Sequence, residues 1–327
     1  MKNKKILLLF LITISLFSLT SCGKKENSSK VDEINIGYFN NITHAQALLM
    51  KQNKTLEDKL GKDVSVNWHS FNAGPAEVEA LFSGDIDIGY IGPVPAVTAN
   101  VKSHGDVVIL SGATQGGSVL ISRKNADIKD IKDLANKKVA IPQLGNTQHL
   151  ILLKLLADNN LSPVTEGGNV NVAAVANADV ENMMNRGDID AALVPEPWGT
   201  TLLSKGANLV LDYDKVCSDA SFDVGVVVVR KEFMNKNPEL VDAFLEEHTN
   251  ATATINNSLE SSLEKINTEI NSATGKSLEK SVIEQSFSRI NVGTKYNTKS
   301  IMDFANISKQ QKFINELPDE KSLFSSK

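Results

Sequence analysis

Between Ile34 and Arg230, short apolar runs alternate with longer stretches in which apolar residues recur at helical spacing. Ile34–Tyr38, Val64–Trp68, Ile86–Ile91 and Val107–Leu110 read as strands, and Ser118–Ser122, Lys138–Ile141, Val170–Val175, Ile189–Val194 and Val224–Val229 follow. Between them lie helical patterns. One starts near Thr43, whose spacing to Gln46 predicts a capping box. Another runs Pro75–Phe82, with Pro at its first turn and Glu77 and Glu79 placed to favour the positive helix end. Ile131–Leu134 predicts a short helix and Thr147–Asn159 a strongly apolar one. After Pro238 the pattern is helical to the end, including Asn297–Leu317. Alternation of this kind predicts βαβ units, hence mostly parallel sheets with helices on both faces.

Part of this pattern occurs twice. Ala76-Glu77-Val78-Glu79, Gly84-Asp85-Ile86-Asp87 and Pro93-Val94-Pro95 are matched by Ala178-Asp179-Val180-Glu181, Gly187-Asp188-Ile189-Asp190 and Pro195-Glu196-Pro197. Each copy reads as helix, tight turn, buried strand and Pro-rich loop. Two copies predict two similar α/β lobes with a ligand cleft between them. The four aspartates are read as turn and strand-start chemistry, not as paired catalytic carboxylates. The first lobe is expected over residues 31–117, an inserted second lobe over 118–222, and a return to the first lobe with C-terminal helices over 223–327, so that two crossings form a hinge.

The N-terminus changes where this fold is expected to work. Lys2, Lys4 and Lys5 precede an apolar run, Ile6–Leu19, and Leu19-Thr20-Ser21-Cys22-Gly23 resembles a bacterial lipobox. Residues 1–21 are read as a lipoprotein signal peptide, Cys22 as the lipidation site and residues 22–30 as a polar tether. The expected location is the extracytoplasmic face of the cell membrane, with a lipid anchor. With Cys22 engaged by the anchor and Cys217 the second of two cysteines, no internal disulfide is expected. Net charge is −5; removing a leader with three lysines leaves about −8, which argues against a nucleic-acid partner. Only four arginines exist, Arg123, Arg186, Arg230 and Arg289. An anionic ligand must therefore be held largely by backbone N–H groups and hydroxyls.

Ligands of open α/β sheets bind beyond the carboxyl ends of the strands. Loops expected there carry Asn41, Thr43 and His44; Gly92 and Pro93; Gly145, Asn146, Thr147 and Gln148; and Glu196 and Trp198. Gly145–Gln148 is the best anion site, because Gly permits close approach and a helix start leaves N–H groups unpaired. A plain N-cap by Asn146 or Thr147 is the alternative. Thr43 and Gln46 cap their helix on the same reasoning. Glu196 either receives a ligand amine or braces a neighbouring N–H, and Trp198 either stacks on a ligand or wedges the lobe junction. The histidines lack metal-ligand spacing, and no Ser/His/Asp set or nucleotide loop has the right context, so no metal, cofactor or catalysis is expected.

Gly37–Ala45, Phe71–Pro75, Gly84–Pro93, Pro142–Gln148 and Val194–Gly199 together resemble the substrate-binding lipoproteins of ABC importers for aliphatic sulfonates, nitrate and taurine. The resemblance covers about Ile34–Phe244. It implies a type II periplasmic-binding-protein fold: two α/β lobes joined by a hinge, closing on a small organic anion such as an aliphatic sulfonate or taurine. It implies a monomer that docks on a membrane permease with its ATPase, and ligand contacts from the loops named above. It leaves open nitrate, bicarbonate or a thiamine-precursor pyrimidine as ligand, and a sensor role for a membrane kinase. A related enzyme family of this fold uses a Cys-rich motif that this chain lacks.

Overall fold

The structure, a computed structural model, describes residues 33–217 and 221–325. The leader, Cys22 and the tether lie outside them. Among the described residues no helix is long and apolar enough to cross a membrane.

Among the described residues, eleven strands sort into two sheets. The first comprises β1 (Glu33–Phe39), β2 (Ser65–Phe71), β3 (Ile88–Ile91), β4 (Val107–Gly116), β10 (Asp223–Arg230) and β11 (Ile290–Val292), in the order β11-β4-β10-β3-β1-β2. The second comprises β5 (Ser118–Ser122), β6 (Lys138–Ile141), β7 (Asn171–Ala174), β8 (Ala191–Pro195) and β9 (Asn208–Leu211), in the order β7-β6-β8-β5-β9. The chain thus changes sheet between Gly116 and Ser118, and β10 brings it back at Asp223. The main helices are α1 (Ala45–Asn53), α2 (Gly74–Ser83), α3 (Pro93–Lys102), α4 (Thr147–Asp158), α5 (Val180–Arg186), α6 (Trp198–Ser204), α7 (Pro238–Asn257), α8 (Leu259–Thr274), α9 (Lys280–Phe287) and α10 (Thr298–Gln310).

The sheets are more mixed than the alternation predicts. β1 runs parallel to β2 and β3, and β6 parallel to β7 and β8. β10, however, is antiparallel to both β3 and β4, and β5 is antiparallel to β8 and β9. Each crossing strand enters its sheet from the hinge side, which reverses it relative to the βαβ strands. The C-terminal region is not wholly helical either, because β11 pairs with β4. The capping box at Thr43 does not form. Ile42–His44 is a 3₁₀ turn, the Thr43 hydroxyl donates to Asn41 Oδ1, and Gln46 Nε2 donates to the Ala113 carbonyl and to Thr252.

The duplicated segment builds the same anchor in both lobes. Gly84 and Gly187 end α2 and α5 in the left-handed conformation, φ 82° and 80°. Three residues on, Asp87 accepts from the Asn35 N–H and from Arg230, while Asp190 accepts from the Lys138 N–H and from Arg123. Each aspartate therefore joins the start of its own strand to a parallel neighbour and to an antiparallel one. That is a scaffold role and uses two of the four arginines.

Candidate functional site

The cleft is built from the carboxyl ends of six parallel strands, three per lobe. β1 leads to Asn41, Thr43 and His44, β2 to Asn72–Gly74, and β3 to Gly92. From the other lobe, β6 leads to Pro142 and Asn146–Gln148, β7 to Asn177, and β8 ends at Pro195. All of these line one cavity of about 20 Å³, where a single water needs about 10–15 Å³. The lobes touch across it: Asn72 Nδ2 donates to the Pro142 carbonyl at 3.3 Å.

The lining carries no Lys, Arg, Asp or Glu. Its chemistry is that of neutral donors. Asn146 caps α4 by accepting from the His149 N–H at 2.8 Å, and its amide donates to Gln148 Oε1. Gln148 in turn donates to Ser118 Oγ at 3.0 Å. The side chains of Asn146 and Gln148 are thus engaged with the protein. What remains at this helix start is the N–H of Thr147, the N–H of Gln148, and the Thr147 hydroxyl, which is buried without a partner. The cap thus leaves these three donors free.

His44 faces them from the other lobe. Its Nδ1 accepts from the Phe39 N–H at 3.0 Å, which leaves the proton of the neutral ring on Nε2. Burial lowers its pKa to about 3, so the ring stays neutral at physiological pH. It stacks on Phe39 with centroids 4.3 Å apart. Asn41, with Oδ1 held by the Thr43 hydroxyl, has its Nδ2 left as a donor. An anion here meets oriented dipoles without a formal positive charge. That arrangement suits a singly charged oxyanion head.

Gly92 is where β3 meets Thr147. A β-carbon at position 92 would come within 2.4 Å of Thr147 Oγ1. The backbone there, φ −70° and ψ 153°, suits alanine. Gly92→Ala is expected to fold normally, hold the lobes apart and weaken ligand binding at least tenfold. Titration calorimetry beside a thermal melt checks this, and unchanged affinity would mean that closure does not depend on this contact.

Four of the residues nominated from sequence sit elsewhere. Pro93 opens α3 behind Gly92, and Gly145 adopts φ 85° ahead of the cap; neither lines the cavity. Trp198 belongs to an adjoining chamber. Glu196 is fully buried outside the cavity wall. Its carboxylate accepts from the Thr200 N–H at 2.9 Å and hydroxyl at 3.0 Å, with Arg289 at 3.5 Å. Burial pushes its pKa up to about 7 against those donors. Glu196 is a brace for α6, so Glu196→Gln is expected to lower the melting temperature and leave the affinity for any aminosulfonate unchanged. A selective loss of aminosulfonate binding would return it to the site. The remaining arginines are equally committed, Arg289 to Asp212 and Arg186 to Asp188. Sequence reasoning did not nominate Asn72 or Asn177; the strand-end rule, applied to β2 and β7 as well, reaches both.

Two α/β lobes around a small donor-lined cleft define a binding protein of the periplasmic-binding-protein fold. The chain belongs to the NMT1-like family, whose model matches residues 27–266. It is 33% identical over 181 residues to the taurine-binding periplasmic protein of Escherichia coli K12, a match spanning 55% of this chain and about half, 54%, of that relative. It is 24% identical over 261 residues to a putative aliphatic sulfonates-binding protein of the same organism, 79% of this chain and 76% of the relative. The alkanesulfonate-binding protein SsuA from Xanthomonas axonopodis pv. citri, solved bound to MOPS, superposes with a TM-score of 0.76 at 19% identity, covering 90% of this chain and 99% of that one.

Proposed function

We propose that this chain is the extracytoplasmic solute-binding component of an ABC importer, capturing a small organosulfonate such as an alkanesulfonate or taurine between its lobes. The observation that carries this reading is the unpaired Thr147 hydroxyl with the Thr147 and Gln148 N–H groups at the start of α4, covered by the first lobe and free of cations. A sulfonate presents three oxygens and one negative charge, which neutral donors satisfy without a counter-ion. The names of the relatives support the same ligand class. Delivery goes to a permease with its ATPase. Lipidation of Cys22 holds the protein at the membrane surface; a Cys22→Ser chain recovered still membrane-bound would argue against that anchor.

Titration calorimetry with methanesulfonate, sulfate, nitrate and bicarbonate tests the head-group reading. Methanesulfonate is expected to bind and the inorganic anions to bind far more weakly. Preferential binding of nitrate or bicarbonate would replace the sulfonate, and binding of none by a folded chain would overturn the site.

A further inference from the structure

The inner cavity, about 20 Å³, is too small for a whole organosulfonate. It shares four wall residues, Phe39, Asn41, Asn72 and Asn177, with an outer chamber of about 270 Å³. Three aromatic rings, those of Phe39, Phe71 and Trp198, line the outer chamber, together with neutral polar groups of Asn40, Ser70 and Thr274. Neither chamber contains a carboxylate. Two acidic residues flank these loops without lining either chamber: Glu196 is withdrawn onto Thr200, and Asp179, next to Ala178, is exposed.

Asn177 stands where the chambers meet. It is 8% exposed, its Oδ1 is buried without a partner, and its Nδ2 makes no hydrogen bond among the described residues. Whichever way the amide is turned, one acceptor there is unsatisfied, a cost that a ligand donor would relieve. The ligand atoms that follow the head must pass this amide on their way out.

We propose that Asn177 reads the substituent next to the sulfonate, and that the protein prefers a neutral hydroxyl there, as in 2-hydroxyethanesulfonate, over the ammonium of taurine. This rests on the sulfonate reading above. A hydroxyl satisfies the buried amide oxygen and brings no charge. An ammonium entering the same place gives up hydration without meeting a carboxylate. An unsubstituted alkyl group leaves the amide unpaired.

The test is calorimetry on the full chain with methanesulfonate, ethanesulfonate, taurine and 2-hydroxyethanesulfonate. The hydroxy compound is expected to bind about fivefold or more tighter than ethanesulfonate and than taurine, the fold-change of roughly one hydrogen bond. Asn177→Leu should erase the hydroxyl advantage, bringing the ratio of the 2-hydroxyethanesulfonate and ethanesulfonate affinities to about one. Asn177→Asp should shift the ratio towards taurine about tenfold or more. Taurine binding tighter than the hydroxy compound overturns the proposal. So does an unchanged ratio in Asn177→Asp with an unaltered thermal midpoint, which keeps the test valid if the Leu variant misfolds. If methanesulfonate and the other three all fail to bind, the sulfonate reading itself falls and this inference with it.

Discussion

Thr147→Pro is expected to abolish sulfonate binding, with an affinity loss of a hundredfold or more, and to leave the fold intact. Proline is well suited to the first position of a helix, where its missing N–H has no intrahelical acceptor. The preceding Asn146 already has the extended backbone that a following proline demands, φ −86° and ψ 176°. The substitution therefore removes the Thr147 N–H and its unpartnered hydroxyl together while costing α4 little. Hydrogen bonds to a charged group contribute about 1.5–3 kcal/mol each, so losing two gives at least the stated factor. Calorimetry with methanesulfonate measures it, a melt confirms folding, and Thr147→Ser should retain most of the affinity. Unchanged affinity in the proline variant would place the anion away from this helix start.

The second large effect concerns stability. Glu77 is completely buried in α2, and neither carboxyl oxygen has a hydrogen-bond partner. It lies against the backbones of β1 and β3, where a β-carbon at Gly37 or Gly89 would come within 2.3 or 2.2 Å of its Oε1. Desolvation raises its pKa well above the usual carboxylate value, so the folded protein keeps the proton. The unfolded chain loses that proton above about pH 4.5. Between that pH and the folded pKa the native state binds more protons than the unfolded one, and stability falls as pH rises. Glu77→Gln removes this penalty. Its stability advantage over the parent should grow as pH rises above about 4.5, by up to about 1.4 kcal/mol per pH unit, and level off once pH passes the folded pKa. Urea unfolding at pH 4.5, 6 and 7.5 gives the comparison; parallel curves for the two proteins would show that Glu77 is ionised and solvated in the native state. This corrects the sequence expectation that Glu77 serves the helix dipole. Its position in the first turn is right, but that turn faces the sheet.

Periodicity located the elements whose character is local. Ser118–Ser122, Lys138–Ile141 and Ile131–Leu134 fall on the expected residues, and α4 ends one residue early. It missed β9 and β11, short segments with polar residues whose extended form is supported by pairing with β5 and β4. Strand direction was also hidden, since an apolar run such as Val224–Val229 reads alike in either orientation. In the cleft, the loop chemistry at Asn41, His44, Gly92 and Asn146–Gln148 was legible because strand ends and helix starts mark it. The role of Glu196 was not: a carboxylate in a loop reads the same whether it meets a ligand or Thr200. Asn177 carries no local motif, and only the juxtaposition of β7 with the other lobe gives it meaning.

The paired anchors at Asp87 and Asp190 bear on how such a protein can change its ligand. Each lies just before its strand, β3 or β8, whereas the cleft residues lie just beyond the other end, some 13–17 Å away at about 3.3 Å per residue. Cohesion is concentrated at one end of these strands and recognition at the other. Substitutions in the cleft loops can therefore accumulate without loosening the anchors, so that the shape and donors of the cleft can change while the same chassis persists.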